Sequence, residues 1–595
     1  MLFTSLKKVL FSLGCCLLWV PCANAQSSGV PWKAQDALGR DVQSADQVGE
    51  LKPDKKVGIF YFLWLQEADR KAPWNDGPYD LAKLFKLLPK EDLKNVEQSD
   101  NELWGTPGTY FFWDEPLYGY YSSSDPWVIR RHMQLLTTAG VDFLVFDTTN
   151  NVTYPEVVEA ICKTLLQMKK EGAETPQITF MLNTNADQTA DKLWNEVYSK
   201  EEYKDLLFKL DGKPLLIGDP NVVKNENVLS KLTLRKAHWP FTMVDTEKAW
   251  HWEAAYPQPY CWSESPDKPE QVNVSVAQNL SRAPHAQVTP MSSGLARGRS
   301  FHNGVQEELN ETDRGNNFAE QWERAYELNP DYVMITGWNE WIAGRWPQGG
   351  KKVFVDQFDR EYSRDIEPMK GGHLDNYYLQ MAQGIRRYKG APSLPVSQGL
   401  KTVDVRGDFN QWDDVDLIFT DSTGETIPRD YPGTGKTYYT NNTGRNDFIL
   451  SKAARDSENF YFYIETKDPI VPSTPKDLYL LINADNDLSS GFIGGDYLIG
   501  SWFTKTETGV NAFNGNKSDV WRWKSVGKVK YQCKDNKLMI AVPFETLGLS
   551  PESATFDVVS FKWLDNLGKD IEISDLYTNG DVAPESRVVF QATEK

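Results

Sequence analysis

The stretch YVMITGWNEW, residues 332–341, decides how the chain reads. Tyr332 to Thr336 form a short apolar run that leads straight into Gly337-Trp338-Asn339-Glu340-Trp341. A continuous apolar run of this length predicts a strand covered on both faces, as in a parallel sheet. A glutamate between two tryptophans at its end is costly to bury unless it is paired or used. Runs of the same kind recur upstream at Val57–Leu63, Val141–Phe146, Ile178–Leu182, Pro214–Ile217, Phe241–Val244 and Val272–Ala277, with a weaker segment at Trp250–Tyr256. Helices are expected between them at Asp125–Ala139, Pro155–Glu171 and Asp187–Leu210, with Asp375–Tyr388 closing the domain. The first begins Asp-Pro, an N-cap followed by proline at the first helical position. Eight strands alternating with helices predict an α/β fold, a (β/α)8 TIM-like barrel. An open doubly wound sheet is the alternative, but no G-x-G-x-x-G follows the first strand.

Beyond the barrel the pattern changes. Residues 390–399, GAPSLPVSQG, read as a linker. Past it, period-2 runs such as Asn459–Glu465, Leu478–Ile482, Lys537–Val542 and Thr555–Trp563 alternate with turns rich in Gly, Asn and Asp. That pattern predicts an all-β sandwich. At the other end, Lys7 and Lys8 precede an apolar run from Val9 to Val20, and Ala23-Asn24-Ala25 is an A-x-A cleavage motif. The reading is therefore a signal peptide at 1–25, a catalytic barrel at 26–392, a linker at 393–400 and a sandwich at 401–595. Export to the periplasm, the cell surface or the medium follows.

A net charge of −19 argues against nucleic acid and anionic membrane surfaces as partners. No later apolar run approaches the roughly 20 residues of a membrane span. A monomer is expected. Cys162, Cys261 and Cys533, the cysteines outside the leader, are widely spaced and read as buried free thiols, with a Cys162–Cys261 bridge as the alternative. The 21 Trp, 26 Tyr and 28 Phe suit either a large core or a sugar cleft, where flat rings pack on pyranose C–H edges.

Barrel enzymes carry their chemistry at the C-terminal ends of the strands. Asp147 ends the second expected strand, Asn183 the third, Asp219 the fourth, Asp245 the fifth and Glu340 follows the eighth. Carboxylates converging on one rim suit glycoside hydrolysis, in which one carboxyl protonates the leaving oxygen and another acts as base or nucleophile. Asp and Asn after strands are also common caps and turn formers, which is the plainer reading of Asp219. Tyr61, Trp64, Trp113, Trp252, Tyr256, Trp262 and Trp338 are candidates for a stacking wall. Asn183, Glu264, His302 and Asn339 are candidates for polar substrate contacts. Arg297 and Arg299, in the loop before His302, either meet an anionic sugar or lie on a solvated loop.

Several of these segments carry a resemblance. Trp113-Asp114-Glu115-Pro116 with Leu117-Tyr118-Gly119-Tyr120-Tyr121, Asp125-Pro126 through His132, Ala139-Gly140-Val141-Asp142-Phe143 and Trp338-Asn339-Glu340-Trp341 together resemble barrel glycosidases of glycoside hydrolase families 99 and 71, including WbsX-like relatives. The resemblance runs from about Val57 to Tyr388. It implies endo-action on α-mannosidic linkages by two glutamates in a pattern like N-E-W-x-E-G. Glu340 matches the first glutamate, whereas Ala343 stands where the second is expected. The family's Ile-Glu-Pro corresponds to Ile366-Glu367-Pro368, displaced by an insertion that contains Asp356 and Arg360. Glu367, Asp147, Asp245 and Glu264 are therefore candidates for the missing carboxyl.

The segment from Val403 to Val415, and Asn483 to Gly491, resemble family 9 carbohydrate-binding modules and DOMON-like sandwiches. That resemblance implies a structural calcium, for which Asp485 and Asp487 are the candidate ligands, a plain Asx turn being the alternative. Trp502, Trp521 and Trp523 could form sugar platforms. The expected function is an exported glycoside hydrolase that cleaves O-glycosidic bonds within a polysaccharide or glycan, with no cofactor required for catalysis. A catalytically silent glycan-binding protein on the same barrel is the alternative, and a lyase or transferase a third reading.

Overall fold

The computed structural model describes residues 31–594 except 69–71, 73–76, 284–285, 308, 472–477 and 504–505. The expected leader at 1–25 lies outside the described residues.

Eight parallel strands form the barrel sheet: β1 Lys56–Tyr61, β2 Phe143–Asp147, β3 Gln177–Met181, β4 Lys213–Ile217, β5 Thr233–His238, β6 Ala249–His251, β7 Pro269–Ser275 and β8 Tyr332–Thr336. Neighbours run β7-β8-β1-β2-β3-β4-β5-β6, every pair parallel. The seam between β6 and β7 is closed by a side chain. The Gln271 amide accepts from the His251 N–H at 2.8 Å and donates to the His251 carbonyl at 2.9 Å. Helices α1 Pro126–Ala139, α2 Pro155–Lys170, α3 Ala186–Leu193, α4 Glu226–Lys231, α5 Asn316–Leu328 and α6 Asn376–Lys389 follow β1–β4, β7 and β8. Among the described residues no helix follows β5 or β6, so the expected (β/α)8 repeat is incomplete there.

Two expected elements move. The fifth strand is Thr233–His238, not Phe241–Val244, and Phe241 is 76% exposed. The helix expected over Asp187–Leu210 ends its α-helical part at Leu193. Asp211-Gly212 then turns Lys209–Leu210 back onto Lys213–Pro214, both turn residues having positive φ, 54° and 78°. Asp-Gly suits such a tight hairpin because both central residues need positive φ. Asp125 caps α1 as expected, accepting from the amides of Trp127 and Val128. Val396–Ser397 of the expected linker pairs with Thr593–Glu594.

The C-terminal strands join one large antiparallel sheet whose two halves face each other across Phe419, Phe462, Phe561 and Phe590. Ring-on-ring burial of this kind packs distant strands of the sheet against each other, the arrangement expected of a sandwich. Trp32 and Lys33 pair with Phe590 and Val589, so the start of the expected barrel segment belongs to this sheet instead. Cys162, Cys261 and Cys533 are free, and Cys533 is exposed rather than buried. Among the described residues no helix is long and apolar enough to cross a membrane.

Candidate functional site

Two segments build the site at the C-terminal ends of the strands. The first is the end of β8. The second is the return loop 355–367, which follows a hairpin of Ile342–Gln348 with Lys351–Phe354. The loop lies along the end of β8: the Gly337 N–H donates to the Arg364 carbonyl, and the amides of Ile366 and Glu367 donate to the Trp338 carbonyl. Arg364 and Glu367 are thereby carried to either side of Glu340.

On one side, the fully buried Arg364 guanidinium donates from Nη1 to Glu253 Oε2 at 2.8 Å and from Nη2 to Glu340 Oε2 at 3.0 Å. The same Nη2 is 3.5 Å from Asp356 Oδ1, and the guanidinium lies 4.7 Å over the Trp252 ring. Glu340 Oε2 also accepts from Gln357 Nε2 at 2.5 Å, and the Glu340 N–H donates to Asp365. Among the described residues, Glu340 Oε1 accepts no hydrogen bond. Asp356 keeps 51% of its side chain exposed, so this network reaches solvent.

Burial pushes the Glu340 carboxyl well above the usual range; Arg364 opposes the shift, while Asp356 and Asp365 add to it. Burial likewise lifts Glu253 to about 7 against Arg364. It lifts Asp365 to about 7 against Arg299 and a 2.6 Å bond from Trp113 Nε1. Asp147, at the end of β2, is raised by burial, opposed by bonds from the Thr149 amide and hydroxyl and augmented by Asp356. A carboxyl held protonated near neutral pH is a proton donor. Glu340 and Asp356 meet one nitrogen, so they lie no farther apart than the roughly 9.5 Å upper limit for paired carboxyls in glycoside hydrolysis.

On the other side, Glu367 is sealed. Its Oε1 meets His132 Nε2 at 3.0 Å, and its Oε2 accepts from Tyr121 Oη at 2.7 Å and Trp341 Nε1 at 2.6 Å. His132 Nδ1 meets the Tyr61 hydroxyl at 2.8 Å. Glu367 and His132 are fully buried. Glu367 is thus a core anchor rather than the cleft carboxylate expected of it. Ala343, at the expected position of the second glutamate, is buried opposite Phe111 in the hairpin.

Other expected residues divide by exposure. Asp245 is exposed on a loop, its carboxylate accepting from the Tyr260 N–H, because β5 ends at His238. Glu264 pairs with Lys268 at 3.2 Å on the approach to the N-terminal end of β7, 74% exposed and away from the rim. Tyr61, Trp113 and Trp338 are core residues, which removes them from a stacking wall. Trp113 stacks on Trp341 at 4.6 Å. Asn339 clips the end of β1 through the Phe62 N–H and carbonyl. Trp64, Trp252 and Tyr256 remain near strand ends, and Asn183 is exposed after β3. Asp219 caps its own turn and pairs with Lys236 at 2.8 Å.

His302 lies in the hairpin of Phe301–His302 with Val305–Gln306. Arg297 and Arg299 are buried, the first on Phe301 and the second between Trp113 and Tyr377, so neither awaits an anionic sugar. In the sandwich, Asp485 and Asp487 are exposed and accept from local amides of Asp487 and Ser489. Trp521 and Trp523 pack edge to face at 5.1 Å.

Sequence reasoning missed Glu253, Asp365, Gln357 and Arg364. Glu253 falls inside the weak segment Trp250–Tyr256; the strand ends at His251, which places Glu253 just past its C-terminal end. The others precede the Ile366-Glu367-Pro368 motif, but nothing local shows that the loop folds back.

No family model matches the chain, and no curated protein matches it. Among solved structures it is similar to the GH99 endo-alpha-mannosidase from Bacteroides thetaiotaomicron, at 14% identity over 56% of this chain and 97% of that one, TM-score 0.32. A glycoside hydrolase-like protein matches at 12% identity over 57% and 94%, TM-score 0.25. The Thermotoga maritima alpha-fucosidase matches at 11% identity over 83% and 93%, TM-score 0.23. Likeness at this distance assigns neither family nor activity.

Proposed function

We propose that the chain is an exported glycoside hydrolase that cleaves O-glycosidic bonds within a polysaccharide or glycan. The observation that carries this reading is the state of Glu340. One oxygen is fixed by Arg364 and Gln357, the other accepts no hydrogen bond among the described residues, and burial pushes the carboxyl upward, toward the protonated form. In the proposed reaction Glu340 protonates the leaving oxygen. Asp356, half-exposed and on the same guanidinium, serves as the second carboxylate, with Asp147 facing them from β2. Arg364 holds both reacting groups in register, and Glu253 holds Arg364. Trp64, half-buried near the end of β1, supplies an apolar face for a sugar ring, while Trp252 packs in the core under Arg364. The chemistry needs no cofactor.

A glycan-binding protein without catalysis is the second reading, favoured by the alanine at position 343 and the sealed Glu367. Digestion of a polysaccharide and glycan panel, with products sized and reducing ends counted, separates the two. Hydrolysis predicts new reducing ends that disappear with Glu340→Gln. Binding alone predicts retention of a glycan by wild type and no product.

A further inference from the structure

A second group of carboxylates lies where the sandwich meets the barrel. Asp421 and Glu425 follow the strand Leu417–Thr420; Asp581 opens the strand Asp581–Ala583, and Glu585 comes just after it. One oxygen each of Asp421, Glu425 and Asp581 lies within 4.8 Å of the others. Glu425, Asp581 and Glu585 are all more than nine-tenths buried. Asp421 Oδ2, Glu425 Oε2 and Glu585 Oε1 are shut away from solvent with no hydrogen-bond donor among the described residues. Glu585 lies outside the three-residue group and touches it through a side-chain contact with Glu425.

Two cations face the cluster. Arg131 Nη1 is 3.8 Å from both Glu425 Oε2 and Glu585 Oε2. The buried Lys562 ammonium is committed to the carbonyls of Pro584 and Val588. Four carboxylates against two cations leave two uncompensated negative charges inside the protein. Either two protons or one divalent cation balances them. Glu425 is drawn into hydrogen-bonding contact with both Glu585 and Asp581, and a divalent cation seated among them would satisfy the oxygens that no N–H or hydroxyl reaches among the described residues. An all-oxygen, all-anionic donor set suits a hard cation and offers no soft ligand.

We propose that Asp421, Glu425, Asp581 and Glu585 bind a calcium-class divalent cation at the domain junction, at a site distinct from the Asp485–Asp487 turn. The cation would join the 421–425 loop to the 581–585 segment. Through Glu425 it would also join both to α1, because Gln134 Nε2 donates to Glu425 Oε1 at 2.7 Å and Arg131 Nη2 to the Glu425 carbonyl at 3.2 Å.

The test uses the full-length protein at pH 8, dialysed into metal-free buffer without chelator. Elemental analysis should find one retained calcium per chain. Melting temperature should fall in EGTA and recover with added calcium. Asp421→Asn and Glu585→Gln should each lose the bound calcium and the melting response, whereas Asp485→Ala should keep both. No retained divalent metal together with a melting temperature indifferent to calcium and EGTA would overturn the proposal and leave the cluster balanced by protons. So would a response that survives Asp421→Asn but vanishes with Asp485→Ala. Metal analysis and chelation of the wild type decide the question even if the Glu585 variant does not fold.

Discussion

Two carboxylates stand on either side of the end of β8, and they are treated in opposite ways. Glu367 is enclosed by His132, Tyr121 and Trp341, with both oxygens bonded. Glu340 shares a guanidinium with Glu253 and Asp356, and its other oxygen accepts no hydrogen bond among the described residues. Both are anchored by the same return loop. The difference teaches that burial near a strand end does not by itself make a carboxyl reactive. A saturated carboxylate fixes its donors in place; a half-saturated one beside a path to solvent can exchange a proton.

The sharpest way to break this contrast is to remove the shared cation. Arg364→Met would leave Glu253 and Glu340 buried and facing one another. We predict a loss of about 1–3 kcal/mol in unfolding free energy, the scale for leaving buried acceptors without their donor, with hydrolysis abolished. Chemical denaturation reads the first and product formation the second. Glu367→Gln should weaken the sealed network by about 1–3 kcal/mol, since a neutral amide cannot satisfy the same three donors. Its effect on turnover should be smaller than its effect on melting temperature.

The pH dependence of stability sharpens the comparison further. Glu253 and Asp365 are lifted to about 7, and Glu340 rises in the same direction. Their protonated forms are the ones favoured by folding. Their contribution to stability is therefore present below the ordinary carboxylate range of about 4 to 4.5 and lost as pH rises through about 7. Thermal melts from pH 4 to 8 should show stability falling across that window, and Glu253→Gln should flatten the slope. The smallest effects are expected outside both networks. Asp245→Asn and Glu264→Gln should change neither melting temperature nor activity, because both side chains are solvent-exposed.

Much of the barrel was legible because most of its strands are continuous apolar runs. The fifth was not. Thr233–His238 carries Arg235 and Lys236, and its buried arginine is acceptable only because Glu270 meets it at 2.7 Å from β7, a partner that local sequence cannot announce. Phe241–Val244 has the composition of a strand, yet Phe241 stands in solvent. In the site, Glu340 and Asp147 were readable from strand ends. Arg364, Gln357 and Asp356 arrive on a loop whose path is set by tertiary contacts with Gly337 and Trp338. Aromatic content misled in one direction: Tyr61, Trp113 and Trp338 support the site from the core instead of lining it.

Glu340 is the proposed proton donor, and Glu367 its buried support. The most direct measurement compares Glu340→Gln with wild type and Glu367→Gln on a glycan that the wild type cleaves. The account predicts that Glu340→Gln keeps the wild-type melting temperature or exceeds it while turnover falls by about 10²–10⁴-fold, the usual contribution of a positioned acid. Wild-type turnover in Glu340→Gln would contradict it, as would a deeper loss of turnover in Glu367→Gln without loss of stability.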